Sequence, residues 1–416
     1  MKNRKAALTK TLDNISAFFA MLIPAGILAG PAVMEISAGL TCFFWIIRSF
    51  ITKFDSLNNI IKNPIIITFF LWILSICISI LLNQTNNQTT IHDLAYIRFL
   101  LFTAAITDIS YRFPIHKYLI FGLGLSVIFG FANLLSAHIF GSDLLGKEAS
   151  RYIQTKHYEI GRIMTTAPFV AVFFGAWGLF EKKPLKAGLL FCLAIISIFI
   201  LFFTKGKTVI ISVAGAFYFS ILYYLYKKNK KPLLFSVLIT IIICILCISF
   251  FIYGYNDLHS EFGTFYHRIY IWKTSAAIWL EKPWFGIGVS NYETAFEAMA
   301  LSGQIPPFIA PDGSAFDGDI YGKATHAHNL ILMILTCGGI FGLLAFASLF
   351  ISLLINILKN TKEFKAGLIG WSIAFTIIGI TGFSIYHSGY TAYFAYFAGL
   401  AACGKKEEAE PLRAYE

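Results

Sequence analysis

Charge is what this sequence has least of. Only 13% of its 416 residues are charged, against 57% that are hydrophobic, and the mean hydropathy is +0.71. A soluble globular domain carries about a quarter of its residues as charges, so the balance excludes one. Acidic residues are the scarcer sign, 22 against 33 basic, and no acidic cluster of the kind that holds Mg²⁺ or Mn²⁺ is evident. The seven cysteines all fall in or beside apolar runs, so no disulfide framework is expected. Cys244 and Cys247 have CxxC spacing, but they lie inside a continuous apolar run with no second pair, which reads as packed or lipid-facing helix. There is no internal repeat, phosphate-binding glycine loop or low-complexity tract. Asn83 and Asn87 stand in N-x-T sequons, which mean little without a eukaryotic secretory context. Nor does the basic N-terminal stretch lead to a small-residue cleavage site, so the first apolar run is expected to stay in the membrane.

What is present is apolar length. A bilayer crossing takes about 20 helical residues. Runs near 15–31, 32–50, 63–82, 92–109, 118–140, 163–180, 185–203, 208–226, 233–253, 327–357, 366–384 and 386–402 answer to that. The expected fold is all-α: a polytopic integral membrane protein of about twelve transmembrane helices with a largely helical periplasmic loop region. Its expected organisation is nine spans with short loops in 1–253, a large periplasmic loop in 254–326, three spans in 327–402 and a cytoplasmic tail in 403–416. The run 327–357 is too long for a straight crossing, so it tilts or begins outside the hydrocarbon. The stretch 254–326, with Pro306, Pro307 and Pro311, is too small for an ordinary independent domain and reads as a few short helices packed on the bundle.

Lysine and arginine set the orientation. They crowd the N-terminus, the C-terminus and the even-numbered connections, as at Arg48 to Lys62, Lys182 to Lys186 and Lys227 to Lys231. Positive loops stay in the cytoplasm, so both termini are expected inside a bacterial inner membrane. The net charge of +11 is then mostly a topological signal. Basic residues scattered in short clusters form no nucleic-acid patch.

The informative residues break that rule. Lys205 and Lys207 lie in a short outer link, Arg162 opens the sixth span, and Arg268 sits in the amphipathic stretch 267–273 of the long loop. Arg98 lies inside the fourth expected span, about two turns from its outer end. Taken singly, each is as readily a lipid-phosphate contact or a snorkelling side chain. Together on the outer face they outline a site for a polyanion such as a diphosphate, which guanidinium groups suit well.

A second signal is Thr325-His326-Ala327-His328-Asn329-Leu330, at the entry of the tenth span. Three readings stand. The histidines are metal ligands, with Asp317, Asp319 or His387 as further donors; they make structural hydrogen bonds at a helix N-terminus; or one is a general base. The last is favoured because imidazole alone titrates near neutral pH.

These residues resemble a known family. The run His326 to Gly342, in which a His-Asn pair opens a helix and a Gly-x-x-Gly follows, looks like the signature of the O-antigen ligase and polymerase superfamily. Upstream, Arg268-Ile-Tyr-Ile-Trp272, Pro283-Trp-Phe-Gly-Ile-Gly288 and Asn291-Tyr292 are similar to its Arg-x-x-x-Trp, Pro-x-x-Gly-x-Gly and Tyr segments. The link 204–208 occupies the place of a short outer loop that usually carries an arginine. Two departures are visible: Lys207 stands for that arginine, and Cys337 stands where the family often has a glutamate ahead of the first glycine. The layout of twelve spans with one large outer loop late in the chain also matches.

The resemblance implies glycosyl transfer on the outer leaflet. The donor would be a glycan on undecaprenyl diphosphate, the acceptor a sugar hydroxyl of lipid A–core, with membrane lipid around them and no cofactor or metal. Arg268 and His328 would be catalytic. Arg162, Lys207, Lys205 and Arg98 would bind the donor diphosphate, with Asn329 and His326 in support. A polymerase of the same superfamily, joining repeat units to one another, would use nearly the same chemistry. A lipid-linked oligosaccharide flippase would instead need charge across several spans, which is sparse here.

Overall fold

The computed structural model describes residues 2–83, 93–112, 116–140, 158–203, 207–227, 258–305, 324–359, 364–382 and 384–403. All regular structure among them is helical: α1 (Lys2–Ala29), α2 (Pro31–Ile51), α3 (Leu57–Ile61), α4 (Pro64–Leu82), α5 (Ile97–Arg112), α6 (His116–Phe140), α7 (Tyr158–Phe180), α8 (Pro184–Phe203), α9 (Lys207–Lys227), α10 (Leu258–Glu281), α11 (Tyr292–Leu301), α12 (Leu330–Lys359), α13 (Lys365–Thr381) and α14 (Ser388–Ala402). Helices occupy each expected span except 233–253, which lies outside the described residues. Six of them, α1, α2, α4, α6, α8 and α12, are long and apolar enough to cross a membrane by length and composition; shorter apolar stretches occur in α7, α9 and α13.

The surface of the bundle is the reverse of a soluble protein's. Phe70, Leu74, Leu189, Ile195, Leu344 and Ile351 all point outward and exposed. In hydrocarbon that is what a helix requires, since its backbone groups are satisfied internally and its side chains meet lipid. The centre is α14, which is apolar all round and buried over nearly its whole length. Phe394 and Phe397 meet Phe69 of α4, Phe346 of α12, Phe173 of α7 and Trp371 of α13, the last stacked at 4.6 Å. The long run of small and aromatic residues in α14 therefore carries a packing role, with helices on every side.

Cross-contacts define two ends. At one, Arg48 pairs with Asp55 at 2.8 Å, and Asn63 both caps α4, accepting from the Ile65 amide, and donates to the Ala402 carbonyl. Lys62, Arg112, Lys117, Lys182, Lys359 and Lys365 belong to helix ends at that level by chain direction. At the opposite end lie Asn83, the 283–291 segment, residues 324–329 and the turn before α14, joined by Asn83 Nδ2 to Gly286 O at 2.8 Å and Asn329 Nδ2 to Ile380 O at 3.0 Å. Of the residues singled out from the sequence, Arg268, His326, His328 and Asn329 belong to this second, less basic end.

Candidate active site

The site begins with a fault in a helix. α12 runs 30 residues, but Gly339 leaves helical geometry at φ 65°, ψ −165°, so a short outer half, 330–338, meets a longer inner half. The over-long run in the sequence is thus resolved by a break. A break exposes backbone donors and acceptors that hydrocarbon cannot satisfy. The 283–288 segment takes them. Ile287 N donates to Thr336 O and Gly288 N to Cys337 O, both at 2.9 Å; Ile340 N donates to Pro283 O at 2.9 Å and Phe341 N to Trp284 O at 3.2 Å. Ser79 Oγ adds a bond to Cys337 O at 2.8 Å. The contact is so close that a Cβ on Gly339 would fall 2.2 Å from the Trp284 carbonyl oxygen, and one on Gly286 2.5 Å from the Cys337 carbonyl carbon. The two glycine motifs of the sequence, far apart in the chain, are one piece of structure.

The outer half-helix presents its N-terminus with the histidines on it. Asn329 caps it: Oδ1 accepts from the Leu332 amide at 3.0 Å while Nδ2 ties to the last turn of α13. His328, immediately before, has φ +48°, a left-handed conformation that is uncommon for a residue with a side chain and costs of order 1–3 kcal/mol. Its Nδ1 is buried. The His326 ring lies 4.0 Å from that of His328, and His326 Nδ1 shares a hydrogen bond with Thr325 Oγ1 at 3.0 Å.

Burial, and then the positive fields of His387 and Arg268, pull His326 down to about 4. An imidazole so depressed is neutral at pH 7 and a weak base, which separates His326 from the general-base role. Burial also lowers Arg268. α10 carries Arg268 and is fixed to the outer half of α12 by Thr336 Oγ1 donating to Ser275 O at 3.1 Å, and to α11 by the Ser275 Oγ–Tyr292 OH hydrogen bond at 2.7 Å. Among the described residues no cluster of three or more His, Cys, Asp or Glu side chains has the geometry to hold a metal ion. A guanidinium beside the histidines suits an anion better than a second cation.

The other sequence candidates are distributed differently. Arg162 lies in the first part of α7 and Lys207 is the first residue of α9. Both helices run antiparallel to α13, with Phe169 against Phe375 and Gly215 against Ile377, so their starts face the same end as the histidines. Lys205 lies outside the described residues, as do Asp317 and Asp319. Arg98 is not two turns inside a span: α5 begins at Ile97, making Arg98 its second residue. Its guanidinium bridges to Glu35 of α2 at 2.6 Å, donates to Ala95 O at 2.8 Å and lies over the Phe99 ring. The structure gathers Arg268, His326 and His328 with His387, which the sequence raised only as a possible metal donor. Nothing local marks His387; it arrives because the α13–α14 turn is tied to Asn329.

These features define a class, a multi-pass helical membrane protein with a cationic, histidine-bearing site where a broken helix meets one end of the bundle. Residues 166–347 match the family model described as O-antigen ligase, and that match supports a place in the O-antigen ligase superfamily. The matched stretch includes Lys207, Arg268, the 283–288 segment, the histidines and the break. No individual curated protein matches the chain.

Proposed function

We propose that this protein is an O-antigen ligase, moving a glycan from undecaprenyl diphosphate to a sugar hydroxyl of lipid A–core at the periplasmic face of the bacterial inner membrane. The observation that carries the reading is the convergence of Arg268, His326 and His328 at the N-terminus of the outer half of α12. The concentration of basic helix ends at the far end of the bundle supports an orientation with both termini in the cytoplasm.

The chemistry follows from the parts. The acceptor hydroxyl gives its proton to His328 as its oxygen attacks the anomeric carbon. The bond from that carbon to the diphosphate oxygen breaks, and its electron pair leaves with the lipid diphosphate. Attack opposite the leaving group inverts the anomeric centre. Arg268 offers a bidentate cation to the charge that grows on the diphosphate, a preorganised stabiliser in a partly desolvated place. The N-terminus of the outer half-helix adds its own partial positive charge. Arg162, Lys207, Lys205 and Arg98 are the residues assigned to binding the donor diphosphate, and no metal is called on. His326 stays neutral beside the base, and Asn329 holds the helix end that presents both.

The test is transfer by the purified protein in lipid nanodiscs, given a lipid-linked glycan and either lipid A–core or a second lipid-linked unit. Glycan on lipid A–core supports the ligase. Chain extension on the second lipid-linked unit would reassign the protein as a polymerase, and no transfer in either arm would reject the reading.

A further inference from the structure

A single turn at the site end, residues 93–98, is tied to three separate parts of the molecule. Asp93 is buried at 4% exposure. Its carboxylate accepts from the Ser290 amide at 3.0 Å and from the Ser290 hydroxyl. Tyr96 OH donates to the Tyr386 carbonyl, in the turn that carries His387. Arg98 bridges to Glu35 of α2. A buried carboxylate is costly unless its acceptor sites are filled, so such a group persists where it holds something in place.

What Asp93 holds is the segment that mends α12. Ser290 lies two residues beyond Gly288, and the amides of Ile287 and Gly288 satisfy the Thr336 and Cys337 carbonyls on the outer side of the break. Asn291 Nδ2 and Asn83 reinforce the same segment through Asn83 O and Gly286 O. The outer half of α12 then carries His328 at its head. The path from Asp93 to the reacting end is therefore short: carboxylate, Ser290, the 286–288 backbone, the 336–337 carbonyls, the half-helix. We propose that Asp93 is a positioning residue for the transfer reaction, setting through Ser290 where the outer half of α12, and so His328, stands.

The inference rests on the proposed glycosyl transfer, but one readout does not. Hydrogen exchange on the full-length protein in nanodiscs, without substrate, should show the amides of Ile287, Gly288, Ile340 and Phe341 exchanging faster in Asp93→Asn than in the parent. Unchanged exchange there overturns the proposal whatever the fate of the ligase reading. In the transfer assay, Asp93→Asn should lower kcat by about 10- to 100-fold, the scale of a small misplacement of reacting groups, with donor KM within about twofold. Ser290→Ala keeps the backbone bond and should lose less, in the same direction. The reciprocal pair Asp93→Ser with Ser290→Asp, which restores a hydroxyl–carboxylate contact, should recover much of the loss. Parent-like kcat in Asp93→Asn, or a loss that appears in donor KM alone, overturns the proposal. Should Asp93→Asn fail to accumulate, a folded Ser290→Ala with parental kcat does so too.

Discussion

His328 combines a strained backbone with a partly buried ring, and strain of that kind persists only where the surroundings enforce it. As the base it should be the costliest histidine to lose: His328→Ala should fall by roughly 10²–10⁴-fold in kcat with donor binding retained. His326→Ala should cost far less. Equal, mild losses from the two, in variants shown to insert normally, would leave only a structural pair at a helix end. Arg268→Lys should keep partial activity, since the charge survives and the fork is lost; Arg268→Ala should lose on the order of 10²-fold or more. His326 also predicts a pH dependence of stability. Its pKa is about 4 folded against 6.5 ordinarily, so over that window the unfolded chain binds a proton that the folded one refuses. Stability is level above pH 6.5 and falls as pH drops from 6.5 towards 4. Thermal midpoints at pH 7.5 and 5 should therefore differ more for the parent than for His326→Asn, and equal differences would contradict the burial of this ring.

At the scale of elements, the join between the 283–288 segment and broken α12 makes a sharp prediction. Gly339→Ala must place a methyl group against the Trp284 carbonyl at φ +65°, whereas Gly303→Ala has φ +69° with open space around it. The second pays only the left-handed cost, about 1–2 kcal/mol. The first adds a backbone collision. Thermal midpoints in detergent should rank parent, Gly303→Ala and then, well below, Gly339→Ala; similar values for the two variants would mean that the segment does not lie against the break. The same join shows where the sequence stopped being legible. The spans were readable because lipid demands apolar length, and the histidine-bearing helix entry because its motif is local. The Gly338-Gly339 pair says that a break is cheap there, not that it happens; that depends on a segment some fifty residues upstream. The ion pair of Arg98 was not legible for the same reason: its partner Glu35 is 63 positions away, in another helix.

For the whole molecule, topology and chemistry must agree. A reporter fused after Tyr226 should read cytoplasmic and one after Gly303 periplasmic; two reporters on one side would put the site and its substrates on opposite faces of the membrane. Transfer should also survive a strong chelator, because arginine and lysine supply the charge that a divalent ion would otherwise provide. Loss on chelation that a divalent ion restores would turn the histidines into ligands. The central claim, that the cationic histidine end of this bundle performs glycosyl transfer, is tested most directly by single-turnover transfer from a lipid-linked glycan to lipid A–core with parent, Arg268→Ala and His328→Ala proteins side by side. The account predicts product from the parent, a rate reduced about 100-fold or more in each variant, and retained donor binding in His328→Ala. Parental rates in both variants would contradict it.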